Sequence, residues 1–202
     1  RPISDALSVD APNSARVIQW YAETIDKTYD EIAPAPRNAL AMITREPLGV
    51  IGAVVPWNYP MQIIGRSVGA ALAMGNACVL KPAEEACLTA LAFAEIARDA
   101  GLPDGALNVV SGLGPEAGAA LSTHKDVHHI SFTGSVGVGK LIQKAAAENI
   151  VPVTLELGGK SPQVVFADAD LDAALPFLVN AGIQNAGQTC SASSRILVQD
   201  SL

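Results

Sequence analysis

Cys190 stands in a run of small and polar residues, Gly187-Gln188-Thr189-Cys190-Ser191-Ala192-Ser193-Ser194-Arg195. In such a setting a thiolate can be exposed and reached by a substrate. The remaining cysteines, Cys78 and Cys87, read as buried packing. Glu156 lies in Thr154-Leu155-Glu156-Leu157-Gly158-Gly159-Lys160, where Val151, Val153, Leu155 and Leu157 share one face of a strand and leave Glu156 on the other. On that face it either meets solvent or, if the face lines a cleft, becomes a general base whose pKa burial would raise. The spacing from Glu156 to Cys190 lets a base and a nucleophile from separate segments meet across a cleft.

Three further clusters carry chemistry. In Val54-Val55-Pro56-Trp57-Asn58-Tyr59-Pro60 an amide side chain follows an apolar run between two prolines. Asn58 either caps the next helix or offers an N–H to a developing oxyanion. In Val79-Leu80-Lys81-Pro82-Ala83-Glu84 a cation and a carboxylate three residues apart could hold the hydroxyls of an adenine-linked ribose. A carboxylate there suits the 2′-OH of NAD and repels the 2′-phosphate of NADP. Phe132-Thr133-Gly134-Ser135-Val136-Gly137-Val138-Gly139-Lys140 turns from strand to helix with its backbone N–H groups facing an anion. It satisfies G-x-x-x-x-G-K, but Leu141 replaces the Mg²⁺-binding hydroxyl of a P-loop, which makes a phosphotransferase the weaker alternative. His124, His128 and His129 straddle a loop and a strand start and read as surface residues, so no metal site is expected.

These residues must be positioned by a chain of 202 residues that is half apolar and carries 13 Lys+Arg against 20 Asp+Glu, net −7. That balance argues against a general nucleic-acid or anionic-membrane binder. No apolar run is long enough to span a bilayer. An odd cysteine count without metal-like spacing points to a reduced, cytoplasmic setting.

Hydrophobic periodicity predicts a helix over Asn13–Ile32, with Asn13 as its cap, and a short strand over Leu40–Arg45. Strands then recur at Val50–Val55, Ala77–Leu80, Leu107–Val110, His129–Thr133 and Val151–Leu157. Helices at Gln62–Met74, Glu84–Ala100, Glu116–Leu121 and Val136–Ala147 separate them. This alternation predicts an α/β fold, a doubly wound and mostly parallel sheet binding its ligand at the carboxyl ends of the strands. After Leu157 come a turn, a strand at Gln163–Phe166 and a helix at Leu171–Ile183. We expect a cofactor-binding domain over 1–157 and the start of a second α/β domain over 158–202, too short for its own core, so the chain reads as part of a longer protein.

The order Pro56-Trp57-Asn58, Lys81-Pro82-Ala83-Glu84, Phe132-Thr133-Gly134-Ser135, Glu156-Leu157-Gly158-Gly159-Lys160, Gly187-Gln188-Thr189-Cys190 resembles that of the NAD(P)-dependent aldehyde dehydrogenase superfamily. The resemblance runs over essentially the whole chain and covers the middle of what the family comprises. It implies a Rossmann-like sheet, NAD rather than NADP, a small aldehyde substrate and assembly as a homo-dimer or homo-tetramer, with Leu40–Arg45 part of an oligomerisation strand. It implies Cys190 as nucleophile, Asn58 as oxyanion donor and Glu156 as activator of water. Lys81 and Glu84 match the family's ribose pair, Gly134, Ser135 and Gly139 its pyrophosphate turn, and Val138 an adenine contact. Trp57 and Leu157 match positions lining the cofactor cleft, and Gly118 a close approach near the adenosine. A CoA-acylating dehydrogenase is the alternative within the family, and Glu156 argues against it, because the acylating branch commonly lacks that carboxylate. The family's Glu-containing motif for the nicotinamide ribose lies downstream of the nucleophile, beyond Leu202, so the 202-residue piece alone is expected to bind NAD weakly and turn over little.

Overall fold

The computed structural model describes residues 2–202. Its N-terminal part is helical from Ile3 onward: α1 (Ile3–Asp5), a π-helical turn (Ala6–Asp10), α2 (Ala11–Thr24) and a 3₁₀ turn (Ile25–Lys27) run into one another. Helix starts well before Asn13, so Asn13 is not a cap. The wide turn directly precedes Pro12, whose ring lacks an N–H and would crowd the carbonyl four residues back. The run also ends earlier than periodicity suggests. Thr28 turns extended (φ −96°, ψ 103°), and Glu31–Ala33 forms strand β1 instead of a last helical turn. β1 pairs antiparallel with β2 (Ala41–Ile43), which supplies the tertiary contact that overrides helical spacing.

The alternating part follows the sequence expectation closely. β3 (Val50–Val54), α3 (Pro60–Ala73), β4 (Ala77–Lys81), α4 (Cys87–Asp99), β5 (Leu107–Val109), a helical turn ending in α5 (Ala119–Ser122), β6 (His129–Gly134), α6 (Val136–Ala147) and β7 (Val153–Leu157) succeed one another. α4 begins at Cys87, because Glu84–Ala86 forms a separate 3₁₀ turn. The strands form one five-stranded sheet in the order β5-β4-β3-β6-β7, and every pairing is parallel. The direction of winding reverses at β3, so a crevice opens between the ends of β3 and β6.

Strand alternation divides the core between the two sheet faces. On one face Ile51, Ala53, Val55, Cys78 and Leu80 pack under Ile64, Val68 and Ala71 of α3 and Ala90 of α4. On the other, Ile130, Phe132, Val153, Leu155 and Leu157 pack under Ile142 and Ala146 of α6. α2 lies across α3 at short range: a Cβ on Gly65 would come within 2.9 Å of Ser14 Oγ. Glycine there lets Ser14 Oγ reach the Met61 carbonyl at 2.7 Å.

Beyond Leu157 the chain forms β8 (Pro162–Val165), α7 (Leu171–Ile183) and β9 (Arg195–Val198). β8 and β9 pair in parallel as a separate two-stranded sheet. Between α7 and β9 a 3₁₀ turn (Gln184–Gly187) holds Asn185, Ala186 and Gly187 at φ +53°, +55° and +74°. No described helix is long and apolar enough to cross a membrane.

Candidate active site

Every strand of the main sheet runs the same way, so β3, β4, β6 and β7 all end at one edge. The loops leaving that edge carry the residues singled out by type and spacing. A cleft of about 610 Å³ is lined there by Trp57 and Asn58 after β3 and by Gly134 and Ser135 after β6. Glu156 and Leu157 from β7, and Gln188 and Cys190 from the loop after α7, complete its wall. Candidate nucleophile, oxyanion donor and base therefore share one crevice, although they come from distant segments.

Asn58 does not cap α3: Tyr59 occupies that position and no side chain caps the helix. The Asn58 Nδ2 amide instead donates to the Gln188 carbonyl at 3.0 Å. An amide nitrogen has two hydrogens, so one remains for a ligand in the cleft. The same carbonyl accepts from Asn185 Nδ2 at 3.0 Å, which fixes the turn leading into Cys190 from both sides. Cys190 is exposed, whereas Cys78 is fully buried and burial pushes its thiol up to about 12. Of these two cysteines only Cys190 can be reached from the cleft.

β7 shows the expected alternation. Leu157 packs against α6, where a Cβ on Gly139 would come within 2.6 Å of Leu157 Cδ2. Glu156 takes the opposite face and lines the cleft. It is exposed to solvent there.

One strand along, the Lys81 side chain is almost wholly buried and its Nζ donates to Glu84 Oε2 at 3.2 Å. An ammonium carries three donors, so Lys81 keeps two for other acceptors. Hydrogen bonds from the Glu84 backbone N–H and from Lys81 hold the Glu84 carboxyl below its ordinary value. Glu84 and Trp57 line an adjoining cavity of about 650 Å³. A pyrophosphate-bearing cofactor fits this edge. Ser135 Oγ caps α6 by accepting from Val138 N–H at 3.3 Å, which leaves the helix's first amides facing outward. A Cβ on Gly134 would come within 2.5 Å of the Phe132 ring, so a larger residue would disturb that floor. Val138 is partly exposed on the first turn of α6. Gly118 lies in the turn after β5, where a Cβ would meet no atom within 4 Å.

His128 Nδ1 accepts from the Val50 N–H at 3.0 Å and His129 Nε2 meets Thr154 Oγ1 at 3.1 Å. The described residues contain no cluster able to hold a metal ion. Position 141 is an exposed leucine and Glu156 is retained, so neither alternative reading gains support. Sequence reasoning missed Asn185 and Gln188, which hold the loop leading into Cys190, and Tyr59 and Ile63, which line the cleft. The run Asn185-Ala186-Gly187 was the available signal, since Asn and Gly are the residues that tolerate left-handed backbone.

Comparison with known proteins shows the family. The aldehyde dehydrogenase family pattern matches residues 1–202. The NADP/NAD-dependent aldehyde dehydrogenase PuuC of Escherichia coli is 49% identical over 204 residues, which is all of this chain and 41% of the relative. Aminoacetaldehyde dehydrogenase of Pseudomonas aeruginosa is 49% identical over 98% of this chain and 40% of the relative. The crystal structure of an indole-3-acetaldehyde dehydrogenase in complex with NAD⁺ superposes with a TM-score of 0.97 at 48% identity, covering all of this chain and 41% of that one. The chain thus spans about two fifths of the length of these relatives, and it belongs to the aldehyde dehydrogenase family.

Proposed function

We propose that the protein containing this chain oxidises an aldehyde to a carboxylic acid with NAD. Residues 1–157 form its cofactor-binding domain, and 158–202 begin its catalytic domain. The reading is carried by one observation: Cys190, Asn58 and Glu156 line a single cleft beside the Gly134-Ser135 turn. The two cofactor-named relatives support the choice of NAD or NADP, and the Glu84 carboxylate favours the cofactor without a 2′-phosphate.

The Cys190 thiolate attacks the aldehyde carbon and forms a thiohemiacetal. Its oxyanion accepts from the remaining Asn58 N–H and from the Cys190 backbone N–H. NAD, when bound, is the two-electron acceptor for the hydride leaving that carbon. Lys81 and Glu84 hold the adenosine ribose, and Gly134, Ser135 and the start of α6 hold the pyrophosphate. Val138 and Gly139 shape that turn, Gly118 lies near the adenosine, and Trp57 and Leu157 border the cofactor cleft. Glu156 then takes a proton from the water that hydrolyses the Cys190 thioester and releases the acid. Exposed apolar residues on the β1–β2 ribbon, Ile32, Met42 and Ile43 among them, support pairing with a second copy in a homo-dimer or homo-tetramer.

The test is NADH formation by the full-length protein across an aldehyde panel, beside Cys190→Ser. Turnover that disappears in the variant is the expected result. Full turnover in the variant overturns the mechanism.

A further inference from the structure

The loop that presents Cys190 is held at two successive peptide groups. The Gln188 carbonyl accepts from Asn58 Nδ2 and from Asn185 Nδ2, each at 3.0 Å. The Thr189 carbonyl, one residue on, accepts from the Ala192 N–H at 3.1 Å. In a trans peptide the N–H points away from the carbonyl of the same plane. The bond to Ala192 therefore also sets the direction of the Cys190 N–H, which shares a plane with the Thr189 carbonyl.

The two donors to Gln188 come from different sides. Asn58 reaches it from the loop after β3, 130 positions away in sequence. Asn185 reaches it from three positions earlier in its own loop. With Asn58 as sole donor, carbonyl and amide could swing together about a single bond. A carbonyl oxygen has two lone pairs, and a second donor occupies the other. The Asn58 amide then keeps one orientation, with its remaining N–H left for the cleft.

Asn185 suits this task by its backbone as well as its side chain. It lies in the left-handed region at φ +53°, ψ +39°. Asparagine and glycine tolerate that region better than other residues, and glycine carries no donor. Aspartate has the shape of asparagine but no N–H. Asn185 is not among the residues lining the cleft, so any effect on the reaction must pass through Gln188.

We propose that Asn185 is a positioning residue for the oxidation. Through the Gln188 carbonyl it aligns the Asn58 amide with the Cys190 N–H before an aldehyde arrives. The proposal rests on the aldehyde-oxidising reading and adds to it the device that presets its side-chain oxyanion donor. A donor set in advance needs no reorganisation when charge develops on the substrate oxygen. A misplaced one costs rate, even when the misplacement starts outside the site.

The experiment uses the full-length protein and follows single-turnover NADH formation at saturating NAD, which separates hydride transfer from product release. Acetaldehyde, butanal and benzaldehyde are screened, and the best of them is used throughout. Asn185→Gly, which keeps the left-handed turn and removes the donor, and Asn185→Asp, which keeps the shape and offers only acceptors, are each made in the unaltered protein and in Asn58→Ala. In the unaltered protein each should lower the rate by about 10- to 100-fold. NAD affinity, which also reports folding, should stay within about 2-fold, because the cofactor residues lie on other segments. In Asn58→Ala the same substitutions should cost less than about 3-fold, since a residue acting through Asn58 has nothing left to align. An unchanged rate, an equal fold-loss in the two backgrounds, or loss of NAD binding in both variants overturns the assignment and leaves aldehyde oxidation standing. NADH formation from none of the three aldehydes by the unaltered protein overturns both.

Discussion

The side-chain amide of Asn58 and the carbonyl of Gln188 are joined at 3.0 Å across 130 positions of sequence. The bond ties the loop leaving β3 to the loop presenting Cys190, so the Asn58 amide is fixed relative to that loop. Asn58→Ala in the full-length protein should lower kcat by about 10²- to 10³-fold, the usual effect of removing one oxyanion donor. Steady-state NADH formation checks this. Asn58→Asp should be no better, because a carboxylate offers no N–H and repels an oxyanion.

Lys81 and Glu84 should separate cofactor binding from chemistry. Lys81→Met removes the buried ammonium and its spare donors, and should raise the KM for NAD by about 10-fold or more. Glu84→Gln should narrow the preference for NAD over NADP. Hydrogen bonds hold the Glu84 carboxyl below its ordinary value, so it loses its charge at a lower pH than an unperturbed carboxylate would. NAD affinity measured by titration should accordingly begin to fall at a lower pH than an ordinary carboxylate would dictate.

His129 makes stability depend on pH in a definite direction. Its folded-state value lies below the ordinary 6.5 because burial penalises the charged ring. The unfolded chain therefore binds its proton first as pH falls. Stability from this residue is complete above about 6.5 and declines below it, through the lowered folded value. In His129→Gln, thermal unfolding across that interval should be flatter than in the unaltered protein.

Ala186 occupies left-handed backbone at φ +55°, which costs a residue with a Cβ about 1–2 kcal/mol. Ala186→Gly should relieve that strain and raise stability by up to about 1 kcal/mol, once the greater freedom of glycine in the unfolded chain is subtracted. The midpoint of thermal unfolding reports it.

Gly65 tests the seam between α2 and α3. A methyl there would lie 2.9 Å from Ser14 Oγ and 3.2 Å from the Ser14 carbonyl oxygen. Backbone cannot give way as a side-chain tip can, so Gly65→Ala should destabilise by about 1–3 kcal/mol. Gly118→Ala, which meets no atom within 4 Å, is the matched control for stability.

The alternating core was legible because each apolar run has its own period and its own punctuation. Val136–Ala147 and Leu171–Ile183 form helices with the limits read from sequence, each with a side-chain cap at Ser135 or Asp170. The stretch after Lys27 was not. Tyr29 and Ile32 keep helical spacing, yet pairing of Glu31–Ala33 with Ala41–Ile43 wins, and a strand partner ten residues away leaves no trace in local periodicity. At the site, residue type singled out Cys190, Asn58 and Glu156, which the fold brings to one cleft. The role of Gln188 was hidden. Gln188 acts through its backbone carbonyl, which every residue has.

Glu156 and Leu157 are consecutive and stand on opposite faces of β7: both reach the cleft, but only Leu157 packs on Gly139 of α6. Any deletion or insertion of a single codon within 153–157 would exchange those two directions, burying the acid among methyl groups and exposing the leucine to substrate. Variation in length among natural versions of this chain should therefore collect in the surface turns on either side of β7 and be purged from the strand itself.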